Sequence, residues 1–279
     1  HPENLALWGL SCNDCHMRRS RDAIAVYPGV PTDRDRHDHA FVGVDVAITD
    51  FPDGELGPQL RAEQLAAIED QRKTALCASL CVREVDGSAE VTVWLHDEGA
   101  GHSWPSAATP DRRAWVELVA VDAGDAAIYS SGVVADDQPI ATLDDPDLWL
   151  FRDRLFDDEG VETHDFWRAA SYESNLLLAP GSFGSGGDAS TWVSHGYALP
   201  ELPARVDMRV RLRPIGLEIL DELVASGDLD PALRGTTTFD VAPAVLTWTP
   251  ETATASTGEV DYGSCVSSSA GCGAPALVP

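Results

Sequence analysis

Apolar residues recur along this chain with two different periods, and the change from one to the other marks out its elements. Over residues 58–81, Leu65, Ile68, Ala75 and Leu76 follow Pro58 at helical spacing. Proline suits a first helical turn, so the spacing predicts a helix over 58–81. Asp86-Gly87 then signals a turn, and the period becomes two. Ala89, Val91, Val93 and Leu95 alternate with Glu90, Thr92, Trp94 and His96, the pattern of a half-buried strand. Residues 114–121 and 126–131 predict two further strands about a turn at Asp122–Asp125. The clearest alternation sets Val206, Met208, Val210 and Leu212 against Arg205, Asp207, Arg209, Arg211 and Arg213. A short helix over 215–225 stops at Gly227, and strands follow at 236–241 and 244–249. Residues 132–200 read as a polar, loop-rich stretch. This inventory predicts a mainly β chain, with a β-sandwich-like domain preceded by an irregular N-terminal segment and one helix. The predicted division is an irregular segment at 1–57, the helix plus sandwich at 58–250, and a flexible Cys-containing tail at 251–279.

The irregular segment is rich in charge and holds four of the eight histidines, His1, His16, His37 and His39. A stretch with so little apolar pattern needs something other than its own core to order it. Cys12-Asn-Asp-Cys15-His16 supplies a candidate, because C-x-x-C-H is the attachment pattern for haem c. Two thiols so spaced reach the two vinyl groups of one porphyrin from a single turn, and the adjacent imidazole can bind the iron. A redox C-x-x-C would open a helix within a βαβ pattern, and none is visible. A zinc site would need two more ligands, which His37 and His39 could supply. The same His-x-His pair could hold copper. For the sixth iron position, His39 is the first candidate, since Ala40-Phe41-Val42 behind it could pack on a porphyrin. His102, in the turn Gly99-Ala-Gly-His-Ser-Trp-Pro105, and His37 are the alternatives. Met17 adjoins His16 and cannot reach the opposite haem face, which leaves it the role of packing at the haem edge.

The order Cys12-Asn-Asp-Cys-His-Met17, Asp38-His-Ala-Phe41, Gly99-Ala-Gly-His-Ser-Trp-Pro105 and Asp111-Arg-Arg-Ala-Trp-Val116 resembles the C-terminal part of multihaem c-type cytochromes related to the cytochrome c-554 family. The resemblance covers roughly residues 8–135. It implies His16 as proximal ligand and His39 and His102 as haem-site histidines, without choosing between them. This chain departs from the family in losing the threonine-glycine of the turn after His102. It also carries a single C-x-x-C-H, so a stack of haems would need additional sequence or another subunit.

Charge narrows the partners. Asp plus Glu total 46 against 19 Lys plus Arg, a net charge of -27, which excludes nucleic acid as a partner and favours a redox protein with a basic face. That partner could belong to a larger multihaem or membrane complex, while no stretch of this chain is apolar enough to span a bilayer. Asp144-Asp-Pro-Asp147 and Asp157-Asp-Glu159 have the oxygen chemistry for calcium but no EF-hand pattern, and solvated loops are the simpler reading. Six cysteines leave four beyond the haem motif, and an even remainder suggests disulfides and a periplasmic or extracellular setting. Cys265 and Cys272 are expected to close a local loop. The chain opens on His1 rather than Met, so removal of an upstream segment is expected. Together these readings predict an exported c-type cytochrome with one covalent haem, an electron carrier more than a catalyst. The alternatives are a haem-bearing docking subunit of a respiratory or photosynthetic complex, and a haem enzyme of the peroxidase or nitrogen-oxide reductase type with an open distal site.

Overall fold

The computed structural model describes residues 11–17, 19–22, 27–29, 34–52, 54–179, 192–257 and 260–268. The chain divides into two compact units, His1–Gln71 and Arg72–Pro279.

The first unit contains helix α1 (Cys12–His16), strands β1 (Arg19–Asp22) and β2 (Arg34–His37), and helix α2 (Leu56–Arg72), which runs up to the unit boundary. β1 and β2 pair antiparallel, with Arg19 opposite His37. Among the described residues of this unit only Gly57 and Ile68 are buried. So small an apolar interior is far short of what a unit this size needs to order itself by burial. The helix expected over 58–81 ends nine residues early. From Leu76 to Val82 every residue is buried, on both faces, and a segment buried all round between two neighbours extends as a strand.

The second unit is the mainly β fold that the alternation predicts. Its first sheet runs in the order β11-β4-β3-β15-β14, built from β3 (Leu76–Val85), β4 (Ser88–Asp97), β11 (Val193–Leu199), β14 (Thr254–Ala255) and β15 (Ser264–Ser267). The second runs β13-β12-β5-β6, with β5 (Arg113–Val121), β6 (Ala127–Ser131), β12 (Arg205–Arg213) and β13 (Phe239–Trp248), and β7 (Leu150–Phe151) added to β5. A small third sheet joins β8 (Asp153–Phe156), β9 (Glu162–Thr163) and β10 (Ser171–Ser174) in the order β10-β8-β9. All pairings are antiparallel among the described residues. β13 packs on β3 and β15, which brings the two five-stranded sheets together as a sandwich. The β3–β4 hairpin turns on Asp86 (φ 50°) and Gly87 (φ 86°), the left-handed pair that Asp-Gly favours. Helix α3 (Leu217–Ser226) ends where Gly227 takes φ 85° and its N–H caps Leu223 and Val224.

The second sheet is buried on both faces along β5 and the end of β12. Val206, Met208, Val210 and Leu212 enter the core as the alternation requires, but the arginine side of β12 is covered as well. The loop-rich stretch 132–200 explains this. Val134, Ile140, Leu143, Leu148 and Leu150 gather on Trp115, and Arg211 and Arg213 lie beneath, their guanidinium carbons 5.5 and 5.4 Å from the Trp115 ring. Trp115 Nε1 donates to Gly132 O at 2.9 Å. Gly132 sits at φ 69°, and a β-carbon there would collide with the Val116 carbonyl oxygen, so no side chain fits. The same stretch contributes β7–β11, which the sequence pattern did not reveal. The strands expected at 236–241 and 244–249 are the single strand β13, bulged where its register shifts along β12.

Two further expectations are corrected. Residues 251–279 are not a tail throughout, since β14 and β15 within them belong to the first sheet. Cys265 does not close a loop with Cys272, which lies outside the described residues. β15 aligns Cys265 opposite Cys81 on β3, and these two form a disulfide with a sequence separation of 184. Cys77 is disulfide-bonded as well. A cross-link spanning so long a loop restricts the unfolded chain strongly, and Cys265→Ala is expected to lower unfolding free energy by about 2–5 kcal/mol. Denaturant titration of the variant beside the parent, each with and without reductant, measures this: reductant should destabilise the parent more than the variant.

Candidate functional site

α1 is a single helical turn, and its start is fixed locally. The backbone N–H and the hydroxyl of Ser11 both donate to Asp14 Oδ2, at 2.8 and 2.9 Å. These bonds, with Arg19 3.0 Å away, hold the Asp14 carboxyl below its ordinary range. Positions three apart on a helix share a face, so Cys12 and Cys15 stand side by side, both exposed and both free thiols.

His16 is tied twice to a residue 26 positions on. Val42 N–H donates to His16 O at 2.9 Å, and Val42 O faces His16 Nδ1 at 2.5 Å. A carbonyl can only accept, so Nδ1 carries the proton and the lone pair resides on Nε2. This is the arrangement by which a second partner prepares a histidine to ligate a metal. The Gln71 amide nitrogen lies 2.9 Å from the same Nδ1, a contact and not a second hydrogen bond while Nδ1 holds the proton, and Phe41 stacks on the imidazole with centroids 4.5 Å apart and an interplanar angle of 9°. Phe41 and Val42 also line a cavity of about 390 Å³, with Asp38, Ala40, Phe51 and Leu60 among its walls. Phe41 and Phe51 are 61% and 78% exposed, apolar area that a flat apolar group would cover.

The β1–β2 hairpin brings the second histidine cluster to this motif. His37 Nδ1 lies 3.0 Å from Met17 O, and His39 is exposed between the cavity residues Asp38 and Ala40. His102 belongs to the other unit, on the turn after β4, exposed and with Nδ1 3.1 Å from Ser103 O. Among the described residues no group of three or more His, Cys, Asp or Glu gathers to hold a metal ion. The stretches considered for calcium are engaged elsewhere. Asp145 accepts from Ser131 Oγ and Gly132 N, Asp147 from the Tyr129 hydroxyl, and Asp157 from Glu159 N, Val161 N and Arg168.

These residues fit a covalently held porphyrin: paired exposed thiols on one turn, an imidazole oriented through Nδ1, and exposed aromatic area beside a cavity in a unit with little core of its own. Val42 and Gln71 gave no signal in the sequence, because a backbone carbonyl and an amide 55 residues away belong to no motif.

No protein-family model matches the chain, and no curated protein matches it in sequence. Among solved structures, a penta-haem cytochrome c552 from Thermochromatium tepidum superposes with a TM-score of 0.53 at 17% sequence identity. The fold is shared with that cytochrome. The match covers 86% of this chain and 47% of the other, so the chain spans about half the length of the protein it resembles. Among the described residues, no helix is long and apolar enough to cross a membrane.

The turn that carries His102 is shaped by Asp97, whose Oδ1 accepts from Ala100 N at 3.1 Å while its Oδ2 is buried without a hydrogen-bond partner. Burial pushes the Asp97 carboxyl up to about 8. A folded-state pKa above the unfolded one makes stability greatest below the unfolded value of 3.8 and erodes it as pH rises toward 8. Asp97→Asn is therefore expected to be more stable than the parent above neutrality, and to flatten the decline between pH 4 and 8 that this residue contributes. Thermal unfolding across that range checks it.

Proposed function

We propose that this chain is a c-type cytochrome with one covalently attached haem, passing electrons in an exported redox chain. The observation that carries the reading is the tie between the Cys12–Cys15–His16 turn and Val42, which presents two thiols on one face and places the imidazole lone pair on Nε2. The shared fold with a penta-haem cytochrome supports it. In this reading Cys12 and Cys15 would hold the haem covalently through their thiols. His16 would bind its iron through Nε2, with Val42 O holding the ring against rotation. Phe41, Phe51 and the cavity walls keep water from one face. When bound, the haem supplies a one-electron change at iron, tuned by its ligands and its burial. His39 would be a second imidazole on the iron, with His102 and His37 as alternatives. The net charge of -27 favours a partner with a basic face.

A second reading rests on the size of the β unit, Arg72–Pro279, which is more protein than one haem requires. It makes the chain a haem-bearing docking subunit of a larger multihaem or membrane complex.

The test is the absorption spectrum of the purified protein, oxidised and reduced, with a pyridine haemochrome assay after acid–acetone extraction. Haem that resists extraction, with low-spin bands indifferent to carbon monoxide and cyanide, is expected. Cys12→Ala with Cys15→Ala should release the haem to solvent extraction. Of His39→Ala, His102→Ala and His37→Ala, the first should turn the spectrum high-spin. A high-spin parent that binds those ligands points instead to a haem enzyme, and a protein isolated without haem from a haem-maturing host overturns the reading.

A further inference from the structure

Six rings of the β unit, three of them buried in its core, form a continuous series. Trp104 lies 6.4 Å from Phe151, Phe151 4.9 Å from Trp149, and Trp149 5.3 Å from His195, measured between ring centroids. His195 lies 4.8 Å from Tyr197, and Tyr197 6.1 Å from Tyr129. Trp149 and His195 are stacked, with an interplanar angle of 20°. The series crosses between sheets: His195 and Tyr197 are on the edge strand β11 of the first, Tyr129 on the edge strand β6 of the second, and Phe151 on β7.

Its two tyrosines are chemically distinct. Tyr197 is 1% exposed and its hydroxyl has no hydrogen-bond partner. The Tyr129 hydroxyl donates to Asp147 Oδ2 at 2.5 Å. A phenol gives up an electron at an accessible potential only if its proton leaves with it. Tyr197 has no acceptor for that proton, so it is not itself oxidised and serves only as the ring between His195 and Tyr129. Tyr129 has one, so the equivalent stops there. The other end of the series, Trp104, is two residues from the exposed His102 and is nearly buried.

We propose that this series is a relay for oxidising equivalents, with Trp104 and Trp149 as entry rings and the Tyr129–Asp147 pair as the trap. It draws a strong one-electron oxidant, an oxygen-derived radical or a high-valent metal centre, away from the interior. The oxidant takes one electron from an indole. An electron from Tyr129 refills that indole through His195 and Tyr197. The Tyr129 phenolic proton moves to Asp147 Oδ2. The net change is a neutral tyrosyl radical, a protonated Asp147 and an oxidant reduced by one electron. Tyr129 is only partly buried, so a soluble reductant can return the electron while Asp147 returns the proton. The relay does not depend on the haem reading, because any one-electron oxidant at the Trp104 end starts it.

The experiment attaches a photosensitive ruthenium polypyridyl to the His102 imidazole of the full-length, fully oxidised protein, with the singly labelled species isolated. After flash oxidation with a sacrificial electron acceptor, optical transients and freeze-trapped electron paramagnetic resonance follow the radical. A tryptophanyl signal giving way to a tyrosyl signal is expected. Tyr129→Phe should abolish the tyrosyl signal, and Asp147→Asn should do the same. Trp149→Phe should leave the radical on tryptophan. Tyr197→Phe keeps a buried ring and removes only an unpartnered hydroxyl, so it folds and should leave the tyrosyl signal in place. A tyrosyl signal that survives Tyr129→Phe, a tyrosyl signal that Tyr197→Phe abolishes, or a flash that yields no aromatic radical overturns the proposal and leaves the series as packing alone.

Discussion

Two arginines buried beneath a tryptophan hold the larger part of this protein together. Arg211 and Arg213 are 6% and 0% exposed. Burying a guanidinium is costly unless its charge and its donors are met. Here they are met. Arg211 reaches Glu117 and Asp136 at 3.2 and 2.8 Å, with Asp240 at 3.3 Å, and Arg213 donates to Gln138 O at 2.8 Å and to Thr238 at 3.1 Å. Both lie on the face of Trp115, where the ring's quadrupole adds a favourable contact. Partners on three elements fix the positions of β5, β12 and β13 relative to the 132–150 segment. That segment in turn adds an apolar layer over what would otherwise be a solvent-facing sheet.

The first unit presents the opposite situation. Its described part has an exposed thiol pair, exposed Phe41 and Phe51, and almost no interior, yet its C-x-x-C-H turn is fastened by specific bonds. Specific polar fastening around an apolar deficit is what a segment looks like when a cofactor completes its core. The β unit is ordered by its own burial, and in the proposed reading a haem would complete the first.

How much of this was legible beforehand depends on the range of the interaction concerned. The Asp86-Gly87 turn, β4, β5, β6, β12, the Gly227 stop and the haem motif are all encoded within a few residues, and reading them needs no knowledge of distant partners. α2 was misjudged at its end because Leu76 fits a helical period as well as a strand. Only the pairing of β3 with β4 and β15 decides between them. β11 was missed because the alternation in Val193–Leu199 is interrupted by Gly196 within a polar stretch.

The sequence by itself determined the kinds of chemistry available: two thiols and an imidazole in the spacing that reaches one porphyrin, a strongly acidic surface, and a strand-rich chain. The tertiary structure alone decided what those groups meet. Val42 O sets the tautomer of His16 from 26 residues away. Cys265 finds Cys81 across a separation of 184 residues rather than its neighbour in sequence. Arg211 and Arg213, read as part of a solvated face of β12, are buried. In each case the reason is the same. Local pattern follows from the geometry of the backbone and is carried by adjacent residues. Which carbonyl, thiol or ring stands opposite follows from register and chain closure, and those are set only when each unit packs.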